Sequence, residues 1–213
     1  MKGVSRKVLV QWCCADLFAL AVAVFFCLAI VGCILMMSAQ TTERVTKSLD
    51  MGTYSVCYDS VLLIPLSADW TLSASCLGKT KRVPSWRFAE DTRLQPPRAC
   101  HDDYTRSGWD RGHMCPAADR TKDVLQMRST FVMSNVCPQS PTLNRGAWKR
   151  MEDACRAMAR NGDSIRIHVD VVFWRADTER IGRHGVAVPH GFVKSVYKCA
   201  GDSLIGARYF QNW

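Results

Sequence analysis

Asp110-Arg111-Gly112-His113-Met114-Cys115-Pro116-Ala117-Ala118 sets a histidine two residues beyond an arginine. A second polar run, Ser134-Asn135-Val136-Cys137-Pro138-Gln139, leads into Ser140-Pro141-Thr142-Leu143-Asn144-Arg145-Gly146-Ala147-Trp148. The first run offers an imidazole beside a guanidinium. The second offers two amides, Asn135 and Asn144, with the carboxylate of Glu152 further on. Together these are the parts for cutting a phosphodiester: a base for water, a cation for phosphate charge and oxygen ligands for a hard metal ion.

The clearest helix begins at Ser140. Serine is a good N-cap and Pro141 suits the first helical position. Leu143, Ala147, Met151, Ala154, Cys155 and Met158 recur at helical spacing as a core stripe, and Gly162 ends the run. Asn144, Trp148 and Glu152 are spaced i, i+4, i+8, along one line beside that stripe. Asn144 falls in the first turn, where the helix dipole favours anions. Arg111 and His113 are two apart, so an extended segment turns both to one face.

Strands are expected at Tyr54–Ile64, at Trp70–Cys76 after a break at Pro65 and Asp69, and at Thr130–Val136. Ile165–Phe173 alternates apolar with mostly polar residues and reads as a strand with one buried face. Gly185–Lys198 and Ala207–Phe210 are further strands, and Val83–Asp110 reads mainly as loop. The expected fold is α+β, a mainly antiparallel sheet with a long helix in mid-chain.

At this point the chain resembles the DNA/RNA non-specific endonucleases, the family of the secreted Serratia-type nuclease and mitochondrial endonuclease G. The residues that carry the resemblance are DRGHMCPAA (Asp110–Ala118), FVMSNVCPQ (Phe131–Gln139), LNRGAWKRMED (Leu143–Asp153) and VAVPHGFVK (Val186–Lys194). The resemblance implies a ββα-metal (His-Me finger) nuclease fold, in which a strand pair and a crossing helix grip one Mg²⁺, with Mn²⁺ as a substitute. It implies His113 as general base, Asn144 as the metal's direct protein ligand and Arg111 as the phosphate contact. It also implies Asn135 as a residue near the phosphate or the histidine, and Glu152 as a carboxylate behind the metal. The substrate it implies is DNA and RNA, cut without regard to sequence. That accords with the residues themselves, since nothing in them reads a base edge. The chain ends at Tyr209-Phe210-Gln211-Asn212-Trp213, where family members continue, so the domain is expected to be cut short.

The chain has 213 residues and a formal net charge of +9. Lys2, Arg6, Lys7 and Asp16 account for +2 of that charge, which leaves +7 on the domain, a balance that suits a polyanionic partner. Leu17–Met37 carries no charge and follows Lys2, Arg6 and Lys7. It is long enough to span a bilayer with its N-terminus in the cytoplasm. Three readings stand: an uncleaved anchor, a signal cut near Ala39, or a lipoprotein signal whose acceptor is Cys33 in Ile30-Val31-Gly32-Cys33. Each exports the domain. The expected organisation is residues 1–40 as signal or membrane anchor, 41–53 as polar tether and 54–213 as the nuclease domain.

Seven of the 11 cysteines lie in the domain, with no Cys-x-x-Cys among them. Cys115 and Cys137 either bridge or stay buried as free thiols; the second is expected. Two rival functions remain. One is a catalytically decayed, membrane-tethered nucleic-acid-binding protein. The other is a zinc protein using His101, His113, Cys115 and Cys137, whose spacings match no common zinc site.

Overall fold

The computed structural model describes residues 45–175 and 177–213. The expected export segment, with its apolar run 17–37 and Cys33, lies outside the described residues. Among the described residues no helix is long and apolar enough to cross a membrane.

The strands are β1 (Thr46–Asp50), β2 (Ser55–Asp59), β3 (Ile64–Leu72), β4 (Asp110–His113), β5 (Val136–Gln139), β6 (Ile165–Val172), β7 (Arg180–Ile181), β8 (Val186–Ala187), β9 (Gly191–Lys198) and β10 (Leu204–Gln211). The α-helices are α1 (Val124–Ser129) and α2 (Lys149–Arg160). Six strands form one antiparallel sheet in the order β1-β2-β3-β6-β9-β10. Because β6 pairs with β3, the whole chain between them is a single excursion from the sheet, and it carries β4, β5 and both helices. The expected α+β architecture is what forms.

Ile165, Ile167 and Val169 of β6 are buried while Arg166 and His168 are half-exposed, as the alternation predicts. Burying each such aliphatic side chain contributes about 1.5–3 kcal/mol. The helix rests on the sheet through Trp148, whose ring centroid is 5.3 Å from Phe192 of β9 and 5.3 Å from Phe210 of β10.

Several boundaries differ from expectation. The tether at 41–53 contains β1, an edge strand in which only Leu49 is buried, so it reads as polar. The strand expected over Tyr54–Ile64 stops at Asp59, whose carboxylate accepts the amides of Val61 and Leu62 and turns the chain. Pro65 and Asp69, expected to break the sheet, lie inside β3; Pro65 is tolerated beside a register shift in the β2–β3 pairing. Trp70–Cys76 is not a strand of its own: β3 ends at Leu72 and Ala74–Cys76 is a 3-10 turn. The strand expected at Thr130–Val136 is a 3-10 turn, Met133–Asn135, feeding β5. Gly185–Lys198 divides into β8 and β9.

The mid-chain helix begins as expected. Ser140 Oγ accepts the Leu143 amide at 3.3 Å, and the Ser140 carbonyl accepts the Asn144 amide at 2.9 Å. Leu143–Trp148 then winds as a π-helix, with Gly146 at φ −106°, ψ −107°, before α2 continues. This wide turn changes the phase of the stripe. Leu143, Trp148, Cys155 and Ala159 are buried, whereas Ala154 is exposed. Trp148 therefore leaves the expected line for the core.

All seven domain cysteines are free. Cys115 and Cys137 are buried, and Cys137 Sγ donates to the Pro65 carbonyl at 3.5 Å. The zinc set His101, His113, Cys115 and Cys137 does not assemble: both thiols are core groups, while both imidazoles line a cleft.

Candidate active site

β4 and β5 pair antiparallel, Asp110 opposite Gln139 and His113 opposite Val136, and the chain then turns into the helix. The pairing needs a glycine at its centre. A Cβ on Gly112 would lie 2.2 Å from Gln139 Oε1. Between this strand pair and the helix opens a cleft of about 580 Å³. Arg111, His113, Asn144 and Glu152, all singled out from sequence, line it. Asp110, Arg82, Arg145 and Lys149 line it too, so four cations face two carboxylates.

His113 is packed against aromatic rings, 4.8 Å from Phe88 and 5.1 Å from Phe131 between centroids. Burial, and then the charge of Arg82, push its pKa down to about 3. The ring is neutral at ordinary pH, the form that can accept a proton. Its Nε2 is sealed with no hydrogen-bond partner.

Arg111 is fixed from behind. Its Nε and Nη2 donate to the His101 carbonyl at 3.2 and 2.7 Å, and Nη2 also donates to Thr105 Oγ1 at 3.1 Å. The guanidinium sits 5.7 Å from the ring centroid of buried Tyr104. These contacts hold the long side chain in one pose and leave Nη1 without a partner among the described residues.

Asn144 is oriented by Asp110. Its Nδ2 donates to Asp110 Oδ2 at 2.9 Å, so the amide's other atom, Oδ1, is free to accept. Asp110 also takes a bidentate contact from Arg145, at 2.9 and 2.6 Å. Partial burial would raise the Asp110 pKa, but the hydrogen bonds from Arg145 and Asn144 outweigh it and hold the carboxylate ionised.

Glu152 sits at the floor of the cleft. Burial pushes its pKa up to about 7, with Asp119 adding to the rise and Lys194 and Arg156 opposing it. Lys194 Nζ lies 4.0 Å from Glu152 Oε1 and 3.7 Å from the Trp148 ring centroid. Arg156 Nη1 is 3.8 Å from Glu152 Oε2 and 2.8 Å from buried Asp119, which also accepts from Trp70 Nε1 at 3.0 Å. A buried ionic cluster thus ties the carboxylate to the sheet.

Asn135 is placed differently. It is fully buried and does not line the cleft. Its Oδ1 accepts the Cys115 amide at 2.9 Å, and its Nδ2 donates to the Cys115 and Thr130 carbonyls at 2.9 and 3.1 Å. It fastens the chain just beyond His113.

Sequence reasoning missed Asp110 as the partner of Asn144, and it missed Lys194. Strand parity could have found the lysine: Phe192, Lys194 and Val196 alternate onto the buried face of β9.

Residues 36–210 match the family described as DNA/RNA non-specific endonuclease. The chain belongs to that family. Mitochondrial endonuclease G of Bos taurus is 32% identical over 162 residues, 71% of this chain and 54% of the relative. A nuclease of Nostoc sp. is 38% identical over 98 residues, 46% of this chain and 36% of the relative. Mitochondrial nuclease EXOG of Xenopus laevis is 36% identical over 159 residues, 67% of this chain and 43% of the relative. The chain therefore spans about a third to a half of the length of these three relatives. Among solved structures, the EndoG/EndoGI complex aligns with a TM-score of 0.71 at 26% identity, covering 78% of this chain and 74% of that one.

Proposed function

We propose that this chain is a Mg²⁺-dependent, sugar-non-specific endonuclease that hydrolyses phosphodiester bonds in DNA and RNA. The observation that carries the reading is the convergence of His113, Arg111, Asn144 and Glu152 on one cleft, with the Asn144 amide turned by Asp110 so that Oδ1 is left over. The donor set suits a hard ion, because amide and carboxylate oxygens are what Mg²⁺ takes alongside its waters. Asn144 Oδ1 would hold the ion, and Glu152 would orient its waters. When bound, the ion supplies positive charge for the phosphate and for the leaving 3′ oxygen.

The protein's own groups do the rest. His113, neutral and with Nε2 sealed, offers Nδ1 to take the proton of an attacking water. Arg111, held by His101 and Thr105, turns its free donors to a phosphate oxygen and stabilises charge as it develops. Arg82, Arg145 and Lys149 attract the polyanion without reading bases. Asn135 acts as a positioning residue that keeps the His113 segment in register. Plasmid nicking and RNA degradation, measured side by side with Mg²⁺ and with EDTA, test the reading. Cleavage of both substrates, abolished by EDTA, is expected. Binding without cleavage would favour a decayed nuclease instead.

We further propose that the domain works outside the cytoplasm, on the strength of the run Leu17–Met37 behind Lys2, Arg6 and Lys7. Protease added to spheroplasts should digest it; digestion only after lysis would place it inside.

A further inference from the structure

Behind the cleft, Cys100, Asp103 and His184 bring a sulfur, an oxygen and a nitrogen to within 4.8 Å of one another. None of the three lines the cleft. Cys100 and Asp103 stand three residues apart across the 3-10 turn His101–Tyr104, the spacing that stacks side chains in such a turn. His184 comes from the turn between β7 and β8. Gly182, at φ +67°, lets that turn close on the site, since a Cβ there would meet Asp103 Cβ at 2.3 Å.

The charge balance points the same way. Asp103 is 2% exposed. Among the described residues its only ion-pair partner is His184 Nδ1, at 2.9 Å. The Asp103 oxygens accept the Cys100 amide at 2.8 Å and the His184 amide at 3.2 Å, and no guanidinium or ammonium pairs with the carboxylate among the described residues. A divalent ion held by this carboxylate, a Cys100 thiolate and a neutral imidazole would leave no net charge. The mixed sulfur, nitrogen and oxygen set favours Zn²⁺ over Mg²⁺. Metal–ligand bonds of about 2.0–2.3 Å put tetrahedral ligands ~3–4 Å apart, so little movement is needed to close the site.

We propose that Cys100, Asp103 and His184 form a structural Zn²⁺ site, distinct from the Mg²⁺ position at Asn144. Water completes the fourth position. Binding releases the Cys100 thiol proton to solvent, and the imidazole proton moves from Nδ1 to Nε2. The site joins the 101–104 turn to the β7–β8 turn. It therefore braces the His101 carbonyl and Thr105, the groups that hold Arg111.

The test uses the full chain, stripped of metal, exposed to Zn²⁺ in an excess of Mg²⁺ and desalted. Wild type should retain one zinc per chain and gain thermal stability. Co²⁺ in its place should give a thiolate-to-metal charge-transfer band. Cys100→Ser is near-isosteric, and His184→Gln keeps a donor for Asp103, so both should fold with unchanged circular dichroism. Both should lose the zinc, the band and the thermal gain, while Asn144→Ala keeps all three. Wild type that retains no zinc overturns the proposal, as does either folded variant that holds zinc at wild-type stoichiometry.

Discussion

Asp110→Ala should weaken Mg²⁺ binding without touching the ion's own ligand. Asp110 accepts the Asn144 Nδ2 hydrogen bond at 2.9 Å and so decides which way the amide faces. Loss of a group that orients a metal ligand typically costs ~10–100-fold in affinity. At 1.36 kcal/mol per decade that is about 1.4–2.7 kcal/mol. The structure gives the same scale by another route, since a hydrogen bond to a charged group contributes about 1.5–3 kcal/mol. The Arg145 contact adds less, because its side chain is 72% exposed and solvent screens the pair. The assay is the cleavage rate against Mg²⁺ concentration. Half-saturation should move up by ~10–100-fold, with much of the turnover recovered at high Mg²⁺. The double variant Asp110→Ala/Asn144→Ala should match Asn144→Ala alone, because both act through one amide. An unchanged half-saturation in Asp110→Ala, or strictly additive losses in the double variant, would refute the reasoning.

Three further expectations can be checked directly. Glu152 is raised from 4.5 to about 7, so its protonated form favours the fold: that contribution is complete below 4.5 and is lost as pH rises through 7. In EDTA, wild-type thermal stability should fall between those pH values and Glu152→Gln should flatten the slope; equal slopes would contradict the burial. Gly112→Ala drives a Cβ into Gln139 and should cost about 1–3 kcal/mol in urea unfolding, whereas a neutral effect would mean the strand pair is looser than described. Binding to unrelated duplexes and RNAs should weaken steeply with KCl and vary little with sequence, as phosphate contacts by the cleft's cations require; a flat salt response would count against it.

Where the sequence was legible, one local rule governed the outcome. Arg111 and His113 face the same cleft because an extended strand returns alternate residues to one side. Asn144 was placed by the Ser140 cap. β6 followed from alternation alone. Where two rules competed, the pattern misled. Pro65 reads as a breaker, yet a register shift absorbs its missing donor. The core stripe assumed 3.6 residues per turn, and the π-helix at Leu143–Trp148 shifted it. Nothing in a single glycine at 146 announces that. Asn135, which the family resemblance implied near the phosphate or the histidine, spends its amide on backbone at Cys115 and Thr130, just beyond His113, a set of partners only the fold reveals. The charge pairing of Glu152 with Lys194 joins distant strands and helix, so only the tertiary fold reveals it.

The most direct test of the central claim is the single-turnover cleavage rate of His113→Ala at saturating Mg²⁺, with DNA binding measured on the same preparation. Binding should remain near wild type, because the His113 ring is neutral and packs on Phe88 and Phe131, so its loss removes no cation from the cleft. The rate should fall by ~10²–10⁴-fold, the usual contribution of a general base. A wild-type rate in His113→Ala, or a loss of cleavage explained wholly by lost binding, would contradict the assignment of His113 as the base in this cleft.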